Sequence, residues 1–592
     1  MNRNDIQDTL TELQSEIASL SDSNTKDIFK SLFNLIDQLS SENEALREEN
    51  QQLKDEVNCL KGEQGKPDIK ANTQPNDHSS EQERKETENT DQSTKKKKRN
   101  RKSKLAQVKI DREQICPIDK STLPEDAQRK GYSDLVIQDI KIVTDNVRYR
   151  REVYYSPSTG KTYLGKLPAD VAGKGEYGVG VRSLIPLLKS ECHLSESCIL
   201  DFFRNFGIEM SSAYISNQWT KGYDDFHQEK AAIFEAGLSS TSYQQIDDTS
   251  ARVKGQNHYT QIVCNPFYSA YFTTERKDRL TVLDVFRDFS PRQFLYNAEA
   301  ISLLDRFKLA KKIRRSVDVQ LEIDKIYDEN EFNSLLNNIK PGSQQRTRIM
   351  EACAIAAYRE QKDKPLIKIL MCDDAPQFKL LTEELTLCWI HDGRHYKKLN
   401  PVVPQHKILR DDFLTQYWQY YQKLKDYKEA LNPNRAIELE QQYDALFSTQ
   451  TGYQQLDERI AKTYAKRKEL LLVLKYPELP LHNNASELSA RVQARARDVS
   501  LHTMSENGTK IKDTFMTVSQ TAKKLKVRTY DYIRDRVSGE FKLPSLAQLI
   551  EEKSHGNFVS PLKFIADTDL FYSLFNFIDQ RYSENEAFRE EN

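Results

Sequence analysis

The sequence predicts an α/β protein whose strand-rich core is interrupted by a long helical insert. A coiled coil, a small β-rich module and a helical unit precede that core. Three observations carry the prediction. Leucine recurs every seven residues through 26–60, the segment 240–280 reads as three successive strands, and 395–480 is helical and highly charged between strand-rich blocks. A chain of 592 residues exceeds one domain. A hydrophobic fraction of 38% with 30% charged residues fits exposed helices and at least one disordered stretch. The net charge of -1 excludes a polycation, so any grip on nucleic acid must come from local basic patches. The eight cysteines form no Cys-x-x-Cys pair. The start MNRNDIQDTLTEL lacks the apolar centre of a signal peptide, and no apolar run is long enough to span a membrane. A cytoplasmic protein with reduced thiols and no membrane partner is expected.

Residues 1–60 form the first unit. A short amphipathic helix (Leu10, Leu13, Ile17, Leu20) breaks at SDSNT. Beyond it Leu32, Leu39, Leu46, Leu53 and Leu60 fill one heptad seam position, and Phe29, Ile36, Asn43, Asn50 and Val57 fill the other. Leucine at one seam and asparagine at the other favour a parallel two-stranded coil, hence a homodimer or higher oligomer; a solvated single helix is the alternative. Residues 61–107 are polar, predict a disordered linker, and contain the basic run from Lys95 to Lys104. Lys95, Lys96, Lys97, Lys98, Arg99 and Arg101 are candidate DNA-phosphate contacts, or simply a solvated tail.

Residues 108–170 read as a β-rich module, through LVIQDIKIV, VRYRREVYYS and KTYLGKLP. Residues 171–235 read as helical. There Ile199, Leu200, Phe202 and Phe203 mark one helix, Gly207 a turn, and Ser211 the start of a second helix burying Ile215 and Trp219. This is a helix-turn-helix or an ordinary helical hairpin. In the core unit, 240–535, YQQIDDTSARV, HYTQIVCNP and FYSAYFTTE are the three strands. IKILMCDD is a buried strand ending in carboxylates, and a helix follows LPLHNN. The tail, 536–592, contains FYSLFNFIDQRYSENEAFREEN, which repeats FKSLFNLIDQLSSENEALREEN almost residue for residue, with Arg581 in place of a seam leucine. Duplication or read-through into a second gene copy is the simplest account.

Three acidic positions stand out: Asp247 at a strand end, Asp373 at another, and Glu487 in the first turn of a later helix. Carboxylates converging from distant segments can hold two metal ions that bridge an attacking and a leaving oxygen. Each also has a plain structural reading. Aspartate at a strand end starts turns, and Asn484-Ala-Ser-Glu487 fits a capping box. Asp248 and Asp374 rank second as ligands. Arg491 and Arg495, four residues apart on the Glu487 face, are candidate phosphate contacts or salt-bridged surface.

From about residue 110 to 535 the sequence resembles transposases of the insertion sequence 66 family. The resemblance lies in QQIDDTSARV, where Asp247 matches the family's first aspartate and Asp248 replaces the usual glutamate. It continues in LMCDDAPQF, with Asp373 and Phe378, and in CWIHDGRHYKKL, with Cys388, Trp389, His391 and Arg394. LPLHNNASELSAR follows, with Asn483, Asn484, Glu487 and Arg491, and then SENGTK and QTAKKLKVRTYDYIRD. It implies an RNase H-like catalytic domain with a helical insertion at about 395–480, and a DDE-type chemistry. Asp247, Asp373 and Glu487 would bind two Mg²⁺ (Mn²⁺ can substitute), for cleavage at the element's ends and strand transfer into target double-stranded DNA. A nucleoid-associated prokaryotic protein is the implied setting.

The resemblance also implies a zinc module with two Cys-x-x-Cys pairs. Here those sites read Cys116-Pro-Ile-Asp119 and Ser156-Pro-Ser-Thr159, so no zinc is expected and the module rests on its β core alone. Cys388 and His391 make only two donors and are read as packing residues. The alternative to an active enzyme is an inactive transposase derivative that acts only as a dimeric DNA-binding protein.

Overall fold

The computed structural model describes residues 3–18, 22–60, 110–168 (apart from 120–122, 125–126, 130 and 141) and 175–557. The linker, the basic run Lys95–Lys104 and the repeat at 571–592 lie outside the described residues.

Helices α1 (Arg3–Ala18) and α2 (Ser23–Leu60) come first. The seam leucines Leu32, Leu39, Leu46 and Leu53 of α2 are all exposed. Phe33 and Asp37, on a different side of the helix, are buried. The module at 108–170 departs from expectation. Its only regular structure among the described residues is the hairpin β1 (Val153–Ser156) and β2 (Lys161–Leu164). Leu135, Ile137, Ile140 and Val143, expected in strands of a core, are 80–82% exposed. Among the described residues of this module no β core forms beyond that hairpin.

Next come α3 (Val179–Ser190), α4 (Glu196–Asn205), α5 (Ser212–Thr220) and α6 (Asp224–Ser239). Ser195 and Ser211 cap α4 and α5 by accepting the N–H of Cys198 and Tyr214. Gly207, at φ 72, makes the left-handed turn between them. Ile185, Ile199, Phe203 and Ile215 close a small core.

The central sheet then forms from β3 (Tyr243–Val253), β4 (Gln256–Cys264) and β5 (Ser269–Thr274), the three strands foreseen. A helical stretch follows, with α7 (Arg279–Phe286), α8 (Ala298–Arg306), α9 (Lys311–Gln320), α10 (Glu329–Ile339) and α11 (Ser343–Glu360). It contains a two-stranded patch of β6 (Gln293–Leu295) and β7 (Ile326–Asp328). The chain returns to the sheet through β8 (Ile369–Cys372) and β9 (Glu384–Leu387), the latter unforeseen because ELTL is too short to show a period. The spatial order is β5-β4-β3-β8-β9, with the first three antiparallel and β8 and β9 parallel to β3.

Helix α12 (Trp389–Lys397) leads into the insert: α13 (Pro404–Glu429), α14 (Pro433–Phe447), α15 (Gln454–Tyr464), α16 (Arg467–Leu470) and α17 (Leu472–Lys475). The indole of Trp389 sits among Tyr417, Tyr420, Tyr443 and Phe447, which joins the insert to the sheet by an aromatic core. Finally α18 (Asn484–Ser500) and α19 (Glu506–Lys524) cover one face of the sheet. Then come α20 (Thr529–Ser538) and α21 (Leu546–Asn557). Leu546 and Ile550 are fully buried in the main core, so the folded unit expected to end at 535 continues to 557. No helix among the described residues is long and apolar enough to cross a membrane.

Candidate active site

Strand register decides where Asp247 points. Asp247 pairs with Ile262, and Ile262 with Tyr271, so the three share one face of the sheet. That face is covered by α18 and α19, because Ile262 and Tyr271 pack on Ala490 and Met516. The parallel ladder matches Gln245 with Met371. Continuing that register by two residues brings Asp373, just past the end of β8, alongside Asp247, whose carboxyl feels its charge. Glu487 lies in the first turn of α18, just ahead of Ala490. The approach to α18 is pinned in place. The Asn483 side-chain amide donates to the Ile246 carbonyl at 2.9 Å, and its N–H donates to the Cys388 sulfur at 3.3 Å. The Trp389 N–H donates to the Leu481 carbonyl at 3.0 Å.

Asp373 and Glu487 lie near enough for their charges to act on Asp247. Burial pushes Asp247 up to about 7; the negative charge of Asp373 adds to this, the Asp248 N–H opposes it, and Glu487 raises it further. Asp373 is also raised, first by burial, although it accepts the Ala375 N–H at 3.1 Å. Neither aspartate has an ion-pair partner among the described residues. Glu487 faces His391 Nε2 at 3.4 Å and an Arg394 guanidinium nitrogen at 3.6 Å. Burial lowers His391, against the pull of Glu487.

The neighbouring acids are occupied elsewhere. Asp248 alternates to the other face and bonds Lys277 at 3.0 Å and the Gln377 amide at 2.8 Å. Asp374 is clamped by Lys379 at 2.7 Å and Lys466 at 2.5 Å. Burial raises its pKa, but the two lysines win and hold it low. Both acids, ranked second as ligands, are ion-paired to lysine in this structure. Lys277, Gln377 and Lys466 escaped the sequence reading; only Gln377 had a signal, inside the LMCDDAPQF block.

Two further expectations are corrected. Asn484 is not a helix cap completed by Glu487. The cap is Asn483, whose side chain reaches β3 rather than the helix, and Glu487 turns to His391 and Arg394. His391 is not simply packing: its ring meets Glu487 from the first turn of α12. Cys388, His391 and Glu487 place one donor atom each within 4.8 Å of one another. The thiol is nonetheless pushed up to about 12 by burial and accepts the Asn483 N–H, so Cys388 does keep a packing role. Cys116 is exposed. Arg491 and Arg495 are exposed on α18. Arg497, two residues on, donates to the Ser250 carbonyl at 2.8 Å and ties α18 to β3.

The donor set fits a hard divalent cation. Two of the acids lack a cationic partner among the described residues, and burial first, then the charges of Asp373 and Glu487, raises Asp247; a bound cation would offset both.

Fold and site thus define a mixed α/β protein with an acidic cluster on one face of its central sheet. Residues 350–511 match the family model described as Transposase IS66 family, a span that holds Asp373, Glu487 and the block from Cys388 to Arg394. A protein of Sinorhizobium fredii named "Uncharacterized protein y4jO" is 30% identical over 330 residues, covering 54% of this chain and 100% of that protein. No solved structure matches the chain. The chain belongs to the Transposase IS66 family.

Proposed function

We propose that the chain is a DDE-type DNA transposase with an RNase H-like catalytic domain, which cuts the ends of its element and joins them to target DNA. The supporting observation is the placement of Asp247 on β3, Asp373 just past the end of the adjacent parallel β8 and Glu487 at the start of a covering helix, with the charges of Asp373 and Glu487 both acting on Asp247. These residues would hold two Mg²⁺ ions, which supply an activated oxygen nucleophile and neutralise the leaving oxygen when bound. The chain's own groups do the rest. Asp248 accepts from the Gln377 amide across to the segment after β8, and Asp374 ties the end of β8 to Lys466 of the insert. His391 and Arg394 orient Glu487 from α12. Arg491 and Arg495 present positive charge along α18 to the DNA backbone.

The test is a strand-cleavage assay on DNA carrying the ends that flank the gene, with Mg²⁺ or Mn²⁺. Asp247→Asn, Asp373→Asn and Glu487→Gln should each abolish both nicking and strand-transfer products while leaving the circular-dichroism melt intact. Cleavage retained in Asp247→Asn would overturn the catalytic reading. A folded wild-type protein that binds these ends but never cuts them would instead support the inactive DNA-binding derivative.

A further inference from the structure

At the start of the insert α13 receives its N-terminal cap from far away in the chain. Its own cap position is Val403, which has no side-chain bond to give. Asp37 of α2 fills the role: one carboxylate oxygen accepts the N–H of Val402 at 2.6 Å and of Val403 at 3.2 Å. The other oxygen accepts from His406 Nδ1 at 2.6 Å, and the His406 ring stacks on Tyr453 at 4.5 Å. Beside it, Asn34 bonds the Gly452 carbonyl and the Gln454 N–H, and Phe33 and Leu10 pack on Val402 and Val403. The Glu44 carboxylate accepts from Asn400 at 3.3 Å. The N–H groups at this helix N-terminus, with His406 beside them, are a specific receptor for a buried carboxylate in the pattern Phe-Asn-x-x-Asp.

That pattern occurs twice. Phe33, Asn34, Asp37 and Glu44 recur as Phe575, Asn576, Asp579 and Glu586 in the C-terminal repeat. The five differences between the copies fall elsewhere: Lys30/Tyr572, Leu35/Phe577, Leu39/Arg581, Ser40/Tyr582 and Leu46/Phe588. The repeat thus keeps every docking residue and loses seam residues. We propose that residues 571–588 of the same chain are a second ligand for the receptor formed by Val402, Val403, His406 and Tyr453, competing with α2. The step from Asn557 to Phe575 reaches up to about 60 Å when extended, and tethering gives the repeat a high effective concentration. Occupation by the repeat undocks the α2 helix, with its leucine seam, from the insert.

Hydrogen exchange with mass spectrometry on the full chain tests this. Two ligands for one site are reciprocally coupled, so Asp579→Asn should slow exchange in α2, and Asp37→Asn should slow it in 571–588, each by about fivefold or more. His406→Ala should speed both. The two aspartate variants lie outside the sheet core and remain readable where His406→Ala fails to fold. Exchange in 571–588 indifferent to Asp37→Asn, or exchange in α2 indifferent to Asp579→Asn, would overturn the proposal. Protection of 571–588 that rises with protein concentration would also overturn it, by assigning the ligand to a second copy.

Discussion

A buried carboxylate with raised pKa stabilises the fold only while it is protonated. For Asp247, pushed up to about 7, that contribution is complete below about pH 4, the unfolded aspartate value, and is lost as pH rises through 7. Chemical denaturation of metal-free protein should therefore show stability falling between pH 5 and 8, and Asp247→Asn should flatten the fall. Added Mg²⁺ should restore stability on the alkaline side, and no restoration would count against cation binding here. A second position where single atoms decide is Gly237. A Cβ there would lie 2.5 Å from the Tyr268 ring, which is itself fully buried. Gly237→Ala should cost about 1–3 kcal/mol, seen as a lower urea midpoint at unchanged slope. The sequence named Asp247, Asp373 and Glu487 because block order singled them out. It ranked Asp248 and Asp374 second through the resemblance alone, since adjacent aspartates differ physically in which way the strand turns them and in which lysine meets them.

At the scale of elements, α18 carries the site through its entry and its exposed face. Asn483→Ala should break the link to the Ile246 carbonyl and reduce cleavage with little loss of DNA affinity, because it moves Glu487 rather than a phosphate contact. Reversing charge at Arg491 and Arg495 should do the opposite. Binding to any DNA sequence should weaken, with the salt slope falling by about 1 per residue, read by fluorescence anisotropy across a salt series. An unchanged slope would remove both arginines from the DNA interface. The strands β3, β4, β5 and β8 were legible as β-branched and aromatic runs between turns. Among the described residues of 135–143 no strand forms, and Leu135, Ile137, Ile140 and Val143 stay exposed. Propensity proposes a strand, and burial decides it.

For the whole molecule, the leucines at 32, 39, 46 and 53 remain exposed while the other side of α2 docks on the insert. The two sides meet at Ile36, a seam residue that packs with Phe33 on Val402 and Val403. Leu39→Arg with Leu46→Arg should convert a dimer to monomer in sedimentation velocity, while the thermal melt of the catalytic unit stays in place; a dimer that survives would deny the seam its role. By itself the sequence determined the local periodicities: the heptad of α2, the strands of the sheet, the helical insert, and the order of acidic blocks that marks the family. These need only neighbours within a turn or a pleat. Tertiary structure alone decided which acids are paired with lysine and which have no ion-pair partner among the described residues. It alone turned His391 toward Glu487, and it joined Asp37 to a helix that begins more than 360 residues later. Each of these depends on faces meeting across hundreds of residues, and a face exists only once strand register and helix packing are set.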